Sequence, residues 1–308
     1  AHSFLALHAR GLCYRDISFG NVFLDPTTGD ALICDNDNAG IDGSSRALVR
    51  GTPKFMAPEI VRGEADPSKR TDQYSLAVLL FYLLFVGHPL EGDRTENELA
   101  DRVAHFRFYG YEPRFCFDPD DESNRPVPGL HDHVVLLWHS APDFVRDLFV
   151  RCFTRGLAEP KSRVGDSEWC DAMMRLRDGM VRCDRCGLVH YRPAGADLAV
   201  CPGCHMPDTP AMTLRIANHR LAVSPLLRIT AHHLRFDFDV ETTIAVAERH
   251  PSDPAVIGLR NDTNDRWRYL TADGRRGDVE PGRRVRLAPG MTIEMGSHTA
   301  LVESLADG

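Results

Sequence analysis

The chain has 308 residues, 43% of them hydrophobic, which is long and apolar enough to bury the cores of two domains and excludes a disordered or fibrous chain. Its formal net charge of −8 argues against a nucleic-acid backbone or an acidic substrate as partner, because sequence-independent binding of phosphates runs on clustered Lys and Arg. Nine cysteines, an odd number with four of them in two C-x-x-C pairs, fit a reducing compartment with a metal site better than a secreted disulfide scaffold, so cytoplasm is the expectation.

The chain opens on Ala-His-Ser, without a Met or a signal-like apolar region, so its front is expected to have been cut or never captured. A helix is expected over residues 3–9. The run 75–86 (SLAVLLFYLLFV) is shorter than the ~20 apolar residues of a bilayer span and is flanked by Asp72 and His88, so it reads as a buried core helix and no membrane partner is expected. Residues 118–128 are polar and turn-rich, an ordered or mobile loop. Segments 141–153 (APDFVRDLFVRCF) and 168–176 (EWCDAMMRL) space their apolar residues as helices packed on a core. A Cys/Gly/Pro-rich stretch runs from about Asp178 to about Pro210. The tail then alternates in short runs at 213–216, 243–246 and 284–287, with turns at Ala272-Asp273-Gly274 and Glu280-Pro281-Gly282, which predicts a small all-β sandwich.

Five strings carry chemistry. Tyr14-Arg15-Asp16-Ile17-Ser18-Phe19-Gly20-Asn21 follows the H-R-D-x-x-x-x-N pattern with Tyr for His, and fourteen residues later Asp35 ends the apolar-led string Ala31-Leu32-Ile33-Cys34-Asp35. Gly51-Thr52-Pro53-Lys54-Phe55-Met56-Ala57-Pro58-Glu59 matches G-T-x-x-[YF]-M-A-P-E and is followed by Asp72-Gln73-Tyr74-Ser75-Leu76. Arg163 stands late, in Glu159-Pro160-Lys161-Ser162-Arg163. In this order the strings resemble the large lobe of a eukaryotic-type protein kinase, and the resemblance implies a mainly α lobe over residues 1–178. It also implies a serine/threonine protein kinase that uses ATP and Mg²⁺ on protein substrates.

The resemblance assigns roles that the chemistry explains, since phosphoryl transfer needs positioning and charge neutralisation more than covalent help. Asp16 would accept or orient the proton of the substrate hydroxyl. Asn21 and Asp35 would hold the Mg²⁺ ions on the nucleotide phosphates, oxygen ligands suiting that hard cation. Arg15 would read negative charge on the activation loop, where Ser44, Ser45 and Thr52 are hydroxyl candidates for phosphorylation. Thr52 would touch the catalytic aspartate, which favours Ser or Thr substrates. Glu59 and Arg163 would form a buried ion pair anchoring the substrate-docking segment, and Asp72 would accept hydrogen bonds from the catalytic-loop backbone.

The sequence departs from the family in three places. Ser18 stands where Ser/Thr kinases carry a Lys that reaches the transferred phosphate, so a positive charge is missing. Asn36 and Asp37 replace the Phe and Gly of D-F-G and bring a third carboxylate toward the metals, a pattern that fits an unusual metal site or a degenerate one. No Gly-rich loop, strand lysine or partner Glu precedes residue 3, so the small lobe is expected to be missing and this fragment inactive alone. The alternative function is a pseudokinase or docking platform that binds proteins without transferring phosphate.

Cys183-x-x-Cys186 and Cys201-x-x-Cys204, fourteen residues apart, have the spacing of a zinc ribbon over residues 179–210, four thiolates closing a structural Zn²⁺ tetrahedron. Two redox pairs, or a ribbon without its metal, are the competing readings. His190 and His205 read as bystanders, His232 and His233 make no case for a metal, and Cys13, Cys34, Cys116, Cys152 and Cys170 read as small core residues. Residues 211–308 resemble a forkhead-associated (FHA) sandwich through Ile257-Gly258-Leu259-Arg260-Asn261 and residues 287–293, as a scaffold for a phosphoprotein or other partner. With residues 115–128 (FCFDPDDESNRPVP), the three parts resemble bacterial kinases of stress-associated clusters, including tellurite-resistance ones.

Overall fold

The computed structural model describes residues 1–25, 29–43, 51–96, 101–192, 200–207 and 212–304, so Ser44 and Ser45 lie outside the described residues. The chain divides into two compact units, Ala1–Ala172 and Met173–Gly308.

In the first unit, helix α1 (His2–His8) buries Phe4 and His8 one turn apart and leads into strand β1 (Leu12–Cys13). After an irregular loop over 14–21, β2 (Val22–Leu24) pairs antiparallel with β3 (Ala31–Ile33), Phe23 opposite Leu32. Strand β4 (Gly40–Ile41) returns to β1, Cys13 opposite Gly40. The two small ladders thereby hold residues 14–21 beside residues 34–39. Helix α2 (Pro58–Val61) starts on a proline, whose missing N–H is no loss at a first helical turn.

Helix α3 (Lys69–Phe85) begins where Thr71 Oγ1 accepts the Ser68 N–H at 2.8 Å and ends at Val86, which turns the chain with φ of 57°. Apolar on nearly every side, it is buried from Thr71 to Phe81, as a helix without a polar face must be. Around it stand α4 (Asp93–Glu96), α5 (Arg102–Phe106) running into a π-turn at Arg107–Tyr111, α6 (Asp132–Ser140), α7 (Asp143–Phe153), α8 (Arg155–Ala158) and α9 (Asp166–Asp178). Phe81 of α3 meets Phe85, Phe149 and Phe115 with ring centroids 4.7, 5.3 and 5.9 Å apart, and Phe117 stacks on Trp138 at 4.5 Å. The loop over 118–128 is ordered, pinned by buried Asn124, whose Nδ2 donates to Leu90 O at 3.0 Å and Arg114 O at 2.8 Å.

The second unit opens with the hairpin of β5 (Met180–Arg182) and β6 (Val189–Tyr191), followed by a bridge between Val200 and Pro207. It continues through β7 (Met212–Ile216), β8 (His219–Ala222), β9 (Arg228–Thr230) and α10 (His232–Arg235). The remaining strands are β10 (Thr243–His250), β11 (Asp253–Asn261), β12 (Trp267–Leu270), β13 (Arg276–Val279), β14 (Arg284–Arg286), β15 (Thr292–Met295) and β16 (His298–Ser304). A six-stranded sheet runs β13-β12-β15-β16-β7-β8 and a four-stranded one β14-β11-β10-β9. Inward residues of both sheets, among them Leu214, Trp267, Ile293 and Val302 of the first and Ile229, Ala245 and Leu259 of the second, share one core. The β-rich tail is therefore two packed antiparallel sheets. Among the described residues no helix is long and apolar enough to cross a membrane.

Candidate active site and metal cluster

The loop after β1 is held from below. Asp72, at the start of α3 and 1% exposed, accepts the backbone N–H of Tyr14 on Oδ2 and that of Arg15 on Oδ1, the latter at 2.9 Å. Arg15 has φ of 74°, a left-handed conformation that a residue with a Cβ adopts only when its surroundings impose it. The carboxylate clamp beneath Tyr14 and Arg15 is what imposes it here, and it presents Asp16 upward.

Asp16 is gripped by two donors. Thr52 Oγ1 donates to Asp16 Oδ1 at 2.6 Å, and Asn21 Nδ2 donates to Asp16 Oδ2 at 3.0 Å and to Asp16 O at 2.9 Å. Because Asn21 spends its amide hydrogens on Asp16, Oδ1 is the group it keeps as an acceptor. Gly51 lets Thr52 come this close: with φ of 117°, a Cβ there would meet Met56 Cγ at 2.9 Å and Arg15 O at 3.2 Å.

Asp35 follows β3, joined to the loop by the Cys34 N–H on Asn21 O at 2.9 Å and by the Tyr14 hydroxyl on Cys34 O. It too has a left-handed φ, 57°, and its Oδ2 accepts from Asn38 Nδ2 at 2.9 Å. Burial, reinforced by the negative fields of Asp35 and Asp16, pushes the Tyr14 hydroxyl up to about 12. The donor set of Asn21 Oδ1 and Asp35 is all oxygen and suits Mg²⁺.

Asp37 lies exposed in a 3₁₀ turn. One expectation is corrected. Cys34 is half-buried rather than core, because β3 pairs on one side only, whereas Cys13, Cys116, Cys152 and Cys170 are buried. Ser18, 2% exposed, turns into the loop.

Below the site, Arg163 and Glu59 make a bidentate pair at 2.7 and 2.8 Å, and Arg163 also donates to Arg70 O at 3.0 Å and Gly156 O at 2.9 Å. The pair ties the segment carrying Thr52 to the helices underneath.

Residues 2–170 match the protein kinase domain. This chain belongs to the protein kinase family. Kinases similar to it include the probable serine/threonine-protein kinase CCRP1 of Zea mays, 38% identical over 86 residues, which are 27% of this chain and 13% of that protein. The DNA damage-responsive serine/threonine-protein kinase RqkA of Deinococcus radiodurans is 34% identical over 139 residues, 43% of this chain and 19% of that protein. Ribosomal protein S6 kinase alpha-4 of Mus musculus is 36% identical over 110 residues, 32% of this chain and 13% of that protein. The kinase described here therefore spans less than a fifth of the length of each of these relatives.

Sequence reasoning missed a cluster of three in the kinase lobe. His8 Nδ1 lies 2.9 Å from Asp166 Oδ1 and His8 Nε2 lies 3.1 Å from Asp72 Oδ2, all three buried, so the histidine braces the carboxylate that clamps the loop after β1. Burial alone would lower the His8 pKa, but the two carboxylates outweigh it and raise it to about 9. The available signal was Phe4 and His8 one turn apart on α1, which reads equally as a packing face.

In the second unit, Cys183, Cys186, Cys201 and Cys204 bring their Sγ atoms within 4.8 Å of one another, a group that could hold a metal ion. The shortest approaches run between the two C-x-x-C turns, Cys183 to Cys204 at 3.6 Å and Cys186 to Cys201 at 3.5 Å. Redox pairs would instead close within each turn. A tetrahedral zinc with Zn–S near 2.3 Å sets sulfurs about 3.8 Å apart, so the four thiols fit that ion. The N–H groups of Cys186 and Arg185 aim at Cys183 and hold its thiol low, while the neighbouring thiols push Cys186 and Cys204 up, so protons shared within the cluster must leave for a metal to bind. His190 is buried with Nδ1 3.4 Å from Leu188 O and His205 is exposed; neither joins the cluster. His232 and His233 accept the Phe238 and Thr230 N–H groups.

Proposed function

We propose that this chain supplies the catalytic half of a serine/threonine protein kinase, moving the γ-phosphoryl group of ATP to a hydroxyl of a protein, with further ATP contacts coming from a small lobe. The observation that carries this reading is the convergence of Thr52 and Asn21 on the two oxygens of Asp16. Held from both sides, Asp16 keeps lone pairs for the incoming hydroxyl and can orient it and take its proton without reorganising. Asn21 Oδ1 and Asp35 would hold Mg²⁺, which when bound with ATP neutralises charge on the phosphate oxygens. Thr52 beside Asp16 narrows the acceptor to the short side chains of Ser and Thr.

Arg15 supports regulation by phosphorylation. Its guanidinium lies against Gly40, where a Cβ would come within 2.4 Å of Cζ, and its Nε is buried without a partner among the described residues. A phosphate on the activation loop would supply the missing acceptor.

Three parts divide the work: the kinase lobe at 1–178, a structural Zn²⁺ ribbon at 179–210, and an FHA-like scaffold at 211–308 that docks a phosphoprotein or stress-cluster partner. The net charge of −8 supports a protein rather than a nucleic-acid partner, and the free thiols support the cytoplasm. The second reading, a pseudokinase platform, is favoured by the turned-in Ser18 and by Asn36 and Asp37 after Asp35. A phosphorylation assay with Mg-ATP and a Ser/Thr protein substrate, on a protein carrying this lobe together with a small lobe, decides between them. Asp16→Asn should lower turnover at least 10²-fold. Equal turnover in the variant would overturn the catalytic reading, and no turnover in either with partner binding intact would favour the platform.

A further inference from the structure

The second unit contains a cavity of about 500 Å³ where the end of α9 and strand β6 face the β7–β8 turn. Its charged lining is one-sided: Arg175, Arg192 and Arg220 against Asp178 alone. That carboxylate is already occupied, because Asp178 Oδ1 lies 3.1 Å from His233 Nε2 and 3.5 Å from Arg177 NH2. Arg192 is 3% exposed and fixed by Met212 O at 2.8 Å, so a positive charge is built rigidly into the wall.

Three consecutive residues on the opposite side offer polar groups that nothing takes up. Asn218 and Arg220 make no hydrogen bond or ion pair among the described residues, and His219 Nε2 is buried without a partner. Asn218 and Arg220 are exposed and open to the cavity, whereas a buried ring nitrogen without a partner, as in His219, is uncommon in folded proteins. The turn that presents them is strained, since Ala217 carries a Cβ at φ of 48° where Gly or Asn is usual. His219 Nδ1 is 3.9 Å from the nearest Asp178 oxygen, too far to hydrogen-bond, which leaves the ring free to carry its proton on Nε2. Burial and the neighbouring His233 hold the His219 pKa down at about 4, so the ring is neutral at ordinary pH. One wall is flat: a Cβ on Gly179 would lie 2.3 Å from the Tyr191 ring, so the glycine is what lets the ring lie there.

We propose that this cavity binds a phosphate monoester, its phosphate on Arg220, Asn218 and His219 and its organic group along Tyr191. The excess of arginine suits a dianion, and the volume leaves room for more than bare phosphate. The site is separate from the Asp16 centre and does not depend on it.

Isothermal titration of the full chain, without Mg²⁺ or nucleotide, tests this with inorganic phosphate, O-phospho-L-threonine and glucose 6-phosphate as probes. A monoester should bind more tightly than inorganic phosphate. Arg220→Ala should weaken it at least tenfold at an unchanged thermal midpoint, because Arg220 is exposed and holds no other group, and Arg220→Lys should retain part of it. Preference for O-phospho-L-threonine would place the monoester on a protein; preference for glucose 6-phosphate would make it a free small molecule. Absence of binding by every probe, or binding equal in Arg220→Ala, Asn218→Ala and wild type, overturns the proposal. So does binding that survives Arg220→Ala and falls in Arg15→Ala, which would move the anion to the kinase lobe.

Discussion

Replacing Glu59 by Gln keeps the shape of the side chain and removes its charge. Arg163, whose side chain is fully buried, would then retain Arg70 O and Gly156 O but face no anion. Breaking one side of a buried ion pair costs about 3–5 kcal/mol, because the remaining charge has neither water nor partner. For a unit of 172 residues that corresponds to roughly 6–20 °C in thermal midpoint, at about 2–4 °C per kcal/mol. Differential scanning calorimetry of Glu59→Gln, Arg163→Met and the double variant measures it. The double variant strands no charge, so it should lose less than the sum of the singles. A midpoint drop below about 2 °C for Glu59→Gln, or losses that simply add, would refute the view that the pair anchors the Thr52 segment.

Two further outcomes follow from the same geometry. A histidine whose pKa is raised on folding stabilises below its unfolded value and loses that contribution as pH climbs through the folded one, so His8 should make the kinase lobe less stable between about pH 6.5 and 9. The full effect is on the order of 3 kcal/mol, and His8→Asn should flatten the slope of thermal midpoint against pH in that window; an unchanged slope would remove His8 as its source. Metal analysis of the purified chain should find zinc that Cys201→Ser loses, and a zinc chelator should lower the melting of the second unit while leaving the first in place. Retention of zinc by that variant would show the metal sits elsewhere.

The kinase strings were legible because the family tolerates few residue types at these spacings, and the fold brings Thr52 and Asn21 onto Asp16 as their order in the chain suggested. The cysteine spacing was legible for the same reason. His8 was not, since its partners stand 64 and 158 residues away in sequence and only the fold brings them together. Cys34 misled because a thiol is small and apolar whether its strand is covered or not. In the tail, alternation revealed strands at 213–216, 243–246 and 284–287, but no local pattern says that β16 pairs with β7, Val302 opposite Leu214. Arg220 gave no signal either, for one arginine among many is informative only once its neighbours leave it without a carboxylate.

The placement of β16 in the middle of the six-stranded sheet, between β15 and β7, has a bearing on synthesis. The strand made first in this module waits for a neighbour made about ninety residues later. While the ribosome is still translating residues 298–304, the sheet has a gap at its centre with two unpaired edges, and apolar side chains of both halves stay open to water. The module can therefore close only after its last strand has left the exit tunnel, and a stalled or shortened nascent chain would expose sticky edges to whatever chaperones or neighbouring chains are at hand.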